Sequence, residues 1–441
     1  MTGADLAGRL IAAGVPQAEL PEKAQLCDLA LAAFRQASGT EPSHAWWIPG
    51  RLELFGKHTD YAGGRTIVAP VPRGFIVVAG RRTGRDIHVV DGVNGESVTI
   101  SEEVATHRGW RHYVSVAVSR LACNFPGARA GATIAFASDL PRASGMSSSS
   151  ALVVGVATAL RSLWELTERD EWRRSIQSAT DTPTYYASIE NGATFRGLAG
   201  DSGVGTHGGS EDHAAMLLGR QGSLSAFSFV PMIPLDVVTL PTGWKVVIGA
   251  SGVQAAKTGD ARAAYNRLSD GVGHLLAMWN AHVGSAASLA AVLASEPSAE
   301  SRLRELISLS ALRDWPEDVL IRRVTHLQRE DARVPEAIAA LRNADARSLG
   351  DLSDASQREA AELLGNQVPE TVALSRAARS CGAFASCSFG AGFGGSVWAV
   401  VEQDRAAAFA SQWVERYQQE YPQRPAVSFR ADPGPAAIAL D

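Results

Sequence analysis

Apolar side chains recur at helical spacing through residues 23–37 (KAQLCDLALAAFRQA), and Ser38-Gly39 followed by Pro42 closes the run, so an amphipathic helix is predicted there. The pattern then changes period. From Ala45 to Ile100 the short β-branched runs TIVAPV, GFIVVAG and IHVVDG, divided by Gly and Asp, predict antiparallel strands. A helix over 109–122, a strand over 131–137 (GATIAFA) and a long helix over 146–168, entered through a serine-rich turn, complete a first region that mixes the two. After the turn-prone stretch Val230 to Gly243 the run WKVVIGA restarts as a buried strand. Helical patterns dominate 260–380, the alanine-rich stretch 281–297 among them. The predicted fold class is mixed α/β followed by α+β, divided near residue 235 into domains 1–235 and 236–441.

Composition supports that division. A chain of 441 residues exceeds the roughly 250–300 that one hydrophobic core serves, so two domains are expected. The 41 basic and 46 acidic side chains form no block of like charge that would serve as a nucleic-acid arm. Cys27, Cys123, Cys381 and Cys387 sit in no CxxC or zinc-like spacing, which fits a reducing cytoplasm. Met1 to Gly14 lacks the basic start and apolar stretch of a signal peptide, and no apolar run reaches 18 residues. A soluble cytoplasmic protein with neither nucleic acid nor membrane as partner is expected.

Three glycine-rich motifs carry the candidate chemistry. In the first, Pro49-Gly50-Arg51 leads to Gly56-Lys57-His58-Thr59-Asp60-Tyr61 and Gly63-Gly64, which offers both hydrogen-bond signs to a polyhydroxylated ligand; an ordinary charged hairpin is the plain alternative. The second, Leu140-Pro141-Arg142-Ala143-Ser144-Gly145-Met146-Ser147-Ser148-Ser149-Ser150, runs from a strand into a helix. Its small residues let backbone N–H groups approach phosphate oxygens at a helix N-terminus, where a serine hydroxyl can reach Mg²⁺; a serine-rich N-cap is the alternative. No Walker P-loop is present, so if a nucleotide binds, another loop must hold it. The third, Ser388-Phe389-Gly390-Ala391-Gly392-Phe393-Gly394-Gly395-Ser396, demands backbone angles or close approaches that side chains forbid.

In this order the motifs resemble the signatures of the GHMP kinases, and the first resembles the galactokinase branch (PGRxNxxGEHTDYxGG, then PxGxGLSSSA, GGxMDQ and GAGFGGC), over residues 45 to 400. The resemblance implies two domains with the active site in the cleft between them. It implies ATP held by Gly145, Met146, Ser147, Ser148, Ser149 and Ser150, and Mg²⁺ held by Ser149 and Glu190. It makes Asp212, in GGSEDHAAM, the catalytic aspartate with Arg51 beside it; Glu211 competes for that role because the segment departs from GGxMDQ at Glu211 and His213. His58, Asp60 and Tyr61 then contact the sugar, and Ser251-Gly252-Val253, Lys257-Thr258 and Ala264-Tyr265-Asn266-Arg267 resemble a segment that brings Tyr265 to it. Trp110 and Tyr113 resemble aromatics of the adenine side, and helical core is their plain alternative.

The implied activity is transfer of the ATP γ-phosphate to a sugar's anomeric hydroxyl. Lys57 stands where galactokinases have a glutamate that binds the C6 hydroxyl, so a cation there would suit galacturonate or another C6-anionic sugar; a Lys57 turned to solvent or to a protein acid is the alternative. A non-catalytic sugar sensor is the rival from another functional class.

Overall fold

The computed structural model describes residues 1–102, 106–141, 144–254, 259–310 and 314–441, with backbone alone for 259–261. Arg142, Ala143, Lys257 and Thr258 lie outside the described residues. Two helices open the chain. Gly3–Ala12 (α1) starts on a capping box between Thr2 and Asp5, and Leu20–Ser38 (α2), which contains the predicted helix, ends on Gly39 at φ 70°. Leu26, Ala30 and Phe34 of α2 pack with Trp47, Ile76 and Val78 on the outer face of a sheet.

That sheet contains His44–Phe55 (β1), Arg65–Arg81 (β2), Ile87–Asp91 (β3), Ser97–Ile100 (β4), Ala132–Ser138 (β5), Ser223–Ser228 (β6) and Ile233–Thr239 (β7). TIVAPV and GFIVVAG prove to be one strand, β2, in spite of Pro70 and Pro72. The prolines are tolerated because β2 changes its outer neighbour there: Arg65–Val68 pair with β6 and Phe75–Arg81 with β5, leaving no ladder N–H to supply between. β3 also departs from the expected pairing, running parallel to β5 while antiparallel to β4.

Trp110–Asn124 (α3), Ser148–Leu163 (α4), Asp170–Ser175 (α5), Asp181–Asn191 (α6) and Glu211–Leu218 (α7) belong to this half. The predicted helix 146–168 stops at Leu163, where Trp164 leaves helical geometry and Glu165 takes φ 55°. The sheet changes between Thr239 and Trp244, beyond residue 235, because β7 still pairs with β6. Trp244–Ala250 (β8), Ala385–Ser388 (β9), Ser396–Glu402 (β10) and Val427–Arg430 (β11) form the second sheet in the order β11-β8-β10-β9.

Its half carries Gly259–His282 (α8), Leu289–Ser295 (α9), Ala299–Leu309 (α10), Glu317–Arg342 (α11), Ala346–Glu359 (α12), Pro369–Ser380 (α13) and Ala406–Glu420 (α14). The alanine-rich stretch 281–297 is thus a helix end, a break and a short second helix. The chain then returns: Ile438–Ala439 (β12) pairs with Trp46 and Trp47 at the edge of the first sheet. One core joins the halves, with Ile48, Leu52 and Val156 packed in the same cluster as Ile248, Phe389 and Trp398. All four cysteines are free thiols, and among the described residues no helix is long and apolar enough to cross a membrane.

Candidate active site

The register of β1 slips at Gly50, between Pro49 and Arg51, so the Arg51 amide leaves the ladder and donates to Met146 O at 3.2 Å. A Cβ at Gly50 would lie 3.0 Å from that same oxygen, which explains the glycine. The first motif is therefore bolted to the second. Arg51, 3 % exposed, donates from Nε to Asp212 Oδ1 at 2.5 Å and from Nη1 to Gly145 O at 2.5 Å. Burial opposes its charge, but Asp212, Glu211 and Glu53 outweigh that and hold the guanidinium ionised.

Asp212 is the second residue of α7. Its other oxygen accepts from Ser147, in left-handed geometry at φ 58°, and from Ser150 at 3.3 Å. Ser150 Oγ also donates to Glu190 Oε2 at 2.7 Å. Ser149, the expected metal ligand, sits instead on a different wall, in hydrogen-bond contact with Tyr113. The serine that meets Glu190 is one position further on, and Glu190 is 6 % exposed at the end of α6. The pair offers only hard oxygen donors, with phosphate and water positions left to a ligand, which suits Mg²⁺. His213 Nε2 lies 3.5 Å from Glu190.

Around Arg51 and Asp212 lies a cavity with an empty volume of about 500 Å³, lined also by Glu53, Asp60, Glu211 and Tyr265. His58 and Tyr61 line it as well. Burial and nearby cations depress His58 to about 3, so its ring is neutral: Nε2–H donates to Ala391 O at 3.1 Å and Nδ1 accepts from the Tyr61 hydroxyl at 3.0 Å. Asp60 accepts from the Glu211 amide at 3.1 Å, yet burial and the neighbouring acids push it up to about 6. Two glycines allow this crowding, since a Cβ at Gly209 would meet Asp60 Oδ2 at 2.1 Å and one at Gly208 would meet Tyr265 Oη at 2.8 Å.

Lys57 is not brought to this cavity. Its side chain, 2 % exposed, donates from Nζ to Cys387 Sγ at 3.1 Å and lies 3.5 Å from Ser388 Oγ. Glu330 of α11, fully buried, accepts from the Gly56 and Lys57 amides and stays ionised because Lys57, His326 and Arg333 outweigh its burial. Lys57 thus turns neither to solvent nor into a direct pair with an acid: a thiol and a hydroxyl take its Nζ, and Glu330 and Glu53 are near enough to favour its charge.

A second cavity, with an empty volume of about 970 Å³, has Trp110, Tyr113, Phe136 and Leu152 as apolar walls and Ser148 and Ser149 at its end. Trp110 and Phe136 meet edge to face, their centroids 5.3 Å apart. The first turn of α4 divides the two cavities, Ser148 and Ser149 facing one and Ser150 the other. The amides of that turn have no partner within the helix and are free for anionic oxygens. The third motif closes the site from the other half: Gly390 N donates to Glu53 Oε2 at 3.2 Å and Ser396 Oγ to Ser144 O at 2.6 Å. Glu53 is the functional-site residue missed in the sequence; its spacing of two from Arg51 along a strand is the signal that places it on the same face.

The fold and the paired cavities define a small-molecule phosphotransferase site. Residues 32–81 match the galactokinase galactose-binding signature, 112–183 the GHMP kinases N terminal domain and 337–419 the GHMP kinases C terminal domain. The chain belongs to the GHMP kinases, in their galactokinase-like branch. A galactokinase of Roseiflexus sp. is 27% identical over 389 residues, covering 87% of this chain and 90% of that protein. One of Chloroflexus aggregans is 27% identical over 400 residues, covering 88% and 91%. Among solved structures, Lactococcus lactis galactokinase complexed with galactose superposes with a TM-score of 0.76 at 21% identity, covering 92% of this chain and 98% of that one. Methanococcus jannaschii mevalonate kinase superposes at 0.53 and 12% identity, covering 88% and 98%, which marks the shared fold.

Proposed function

We propose that the protein transfers the γ-phosphate of ATP to the anomeric hydroxyl of galactose or a closely related neutral hexose, giving a sugar 1-phosphate. One observation carries the reading: Asp212, gripped by Arg51, stands at the α4 turn that separates a cavity lined by ionisable side chains from an aromatic-walled cleft. The galactokinases it resembles supply the choice of sugar.

In this reading the acceptor hydroxyl donates to Asp212, which takes its proton as the oxygen lone pair attacks the γ-phosphorus and ADP departs. Arg51 keeps Asp212 ionised and aimed, and the α4 amides receive the phosphate oxygens. Ser150 and Glu190 would hold Mg²⁺, which would supply neutralisation of the charge on the transferred group. Asp60, His58 and Tyr265 hold the ring. Galacturonate loses its support, because Lys57 faces Cys387 and Ser388 while the lining presents Glu53, Asp60 and Glu211.

Coupled ADP release over a panel of hexoses and uronates, with phosphorus NMR of the product, tests this. Turnover of galactose to an anomeric phosphate is the expected result. ATP and sugar binding without turnover of any sugar would establish the sensor instead.

A further inference from the structure

Arg51 and Glu53 share one face of β1, and Glu53 lies in the cavity wall at 2 % exposure. Its Oε2 accepts from Gly390 N, and its carboxyl group is in hydrogen-bond contact with that of Glu211. Glu211, 7 % exposed and directly before Asp212, has Oε1 3.7 Å from Arg51 Nη2. Burial raises both carboxyl groups above the ordinary glutamate range, so the hydrogen-bonded pair shares one proton and keeps one negative charge. A buried carboxyl pair that keeps one negative charge favours a donor from a ligand and disfavours a second anion. The galactokinase-like pattern has neutral Asn and Met at these two positions, and its glutamate at position 57 is here Lys57. Lys57 is close enough to favour ionisation of Glu53 from behind, without entering the cavity. The acid absent from position 57 is thus matched by acids at 53 and 211.

We infer that Glu53 and Glu211 together are the charge filter of the sugar site: they accept from a hydroxyl or ammonium substituent of the sugar and repel a carboxylate. The inference rests on the sugar-kinase reading above. Among the described residues that line the cavity, Arg51 is the one permanent cation, and Asp212 already engages it, so a uronate would meet two acids and no free partner.

The test compares kcat/KM for galactose, galacturonate and the amino sugars with nitrogen at C2 or C6, in the native enzyme, Glu53→Gln and Glu211→Gln at one salt concentration. Galacturonate should fall about a hundredfold below galactose in the native enzyme, since like charges in a closed site cost several kcal/mol. In each variant the uronate-to-galactose ratio should rise about tenfold or more, while the ratio for the better amino sugar falls. General damage to the site moves both ratios together, so opposite movement is the signature. A uronate ratio that does not rise, or two ratios moving the same way, overturns the inference. If a variant turns over no sugar, the same ratios taken from sugar Kd values by calorimetry without nucleotide decide. A native enzyme inactive on every sugar sinks the kinase reading alone, and the Kd ratios still judge the filter.

Discussion

The two cavities on either side of the first turn of α4 work by different physics. The larger has aromatic and aliphatic walls and meets its ligand's charge with backbone amides, whereas the smaller is lined with ionisable side chains packed against one another. Backbone and stacking surfaces tolerate sequence change. Side-chain charges do not: the departures from the galactokinase-like pattern at Glu53, Lys57 and Glu211 change charge, whereas those in the serine-rich loop, at Ala143, Met146 and Ser150, do not. The changes of charge therefore fall in and behind the cavity lined by ionisable groups, and the aromatic-walled one is left without them.

That contrast is best broken at the shared point. Asp212→Asn should lower kcat by about 10²–10⁴ while leaving ATP binding intact, since a positioned base contributes that much. A near-normal kcat would move the role to Glu211. Next in size is Asp60→Asn. An acid pushed up from 3.8 to about 6 adds stability that is complete below the lower value and is lost as pH rises through the higher one. Native protein should therefore fall behind the variant by up to about 3 kcal/mol on going from about pH 4 to about pH 8, although the variant binds sugar less well. Equal urea midpoint differences at the two pH values would show that Asp60 carries no such burden.

On the divide itself, Ser150→Ala should reduce Mg²⁺-dependent turnover about tenfold or more and Ser149→Ala by less than about threefold, because Ser150 alone bonds Glu190. The reverse order would restore Ser149 as the metal ligand. The smallest effect is expected on the donor wall: Trp110→Ala should raise KM for ATP about threefold to tenfold, with KM for the sugar unmoved. A change in the sugar KM would mean that the two cavities are not independent.

Much of this was legible in the sequence, for identifiable reasons. Arg51 and Asp60 stand out because glycines and charges crowd around them, Asp212 only through the likeness of GGSEDHAAM to GGxMDQ, and the structure gathers all three in one cavity. Ser149 and Ser150 are indistinguishable in a run of four serines, yet one residue turns a helix by about 100°, enough to exchange one cavity for the other. The direction of Lys57 was hidden because its partners Cys387 and Glu330 lie in distant segments and because His58 beside it takes φ 59°. The single strand β2 was hidden by Pro70 and Pro72, which signal a break unless the change of neighbouring strand is known.

The return of β12 to the first sheet makes the molecule a donor-strand assembly within one chain. Residues 433–440 bond back to the first half at Gly222, Pro70, Met216 and Ala45. A protein divided at the connector between β7 and β8 would leave the amino-terminal piece with a bare edge at Trp46 and Trp47, open to the next strand it meets.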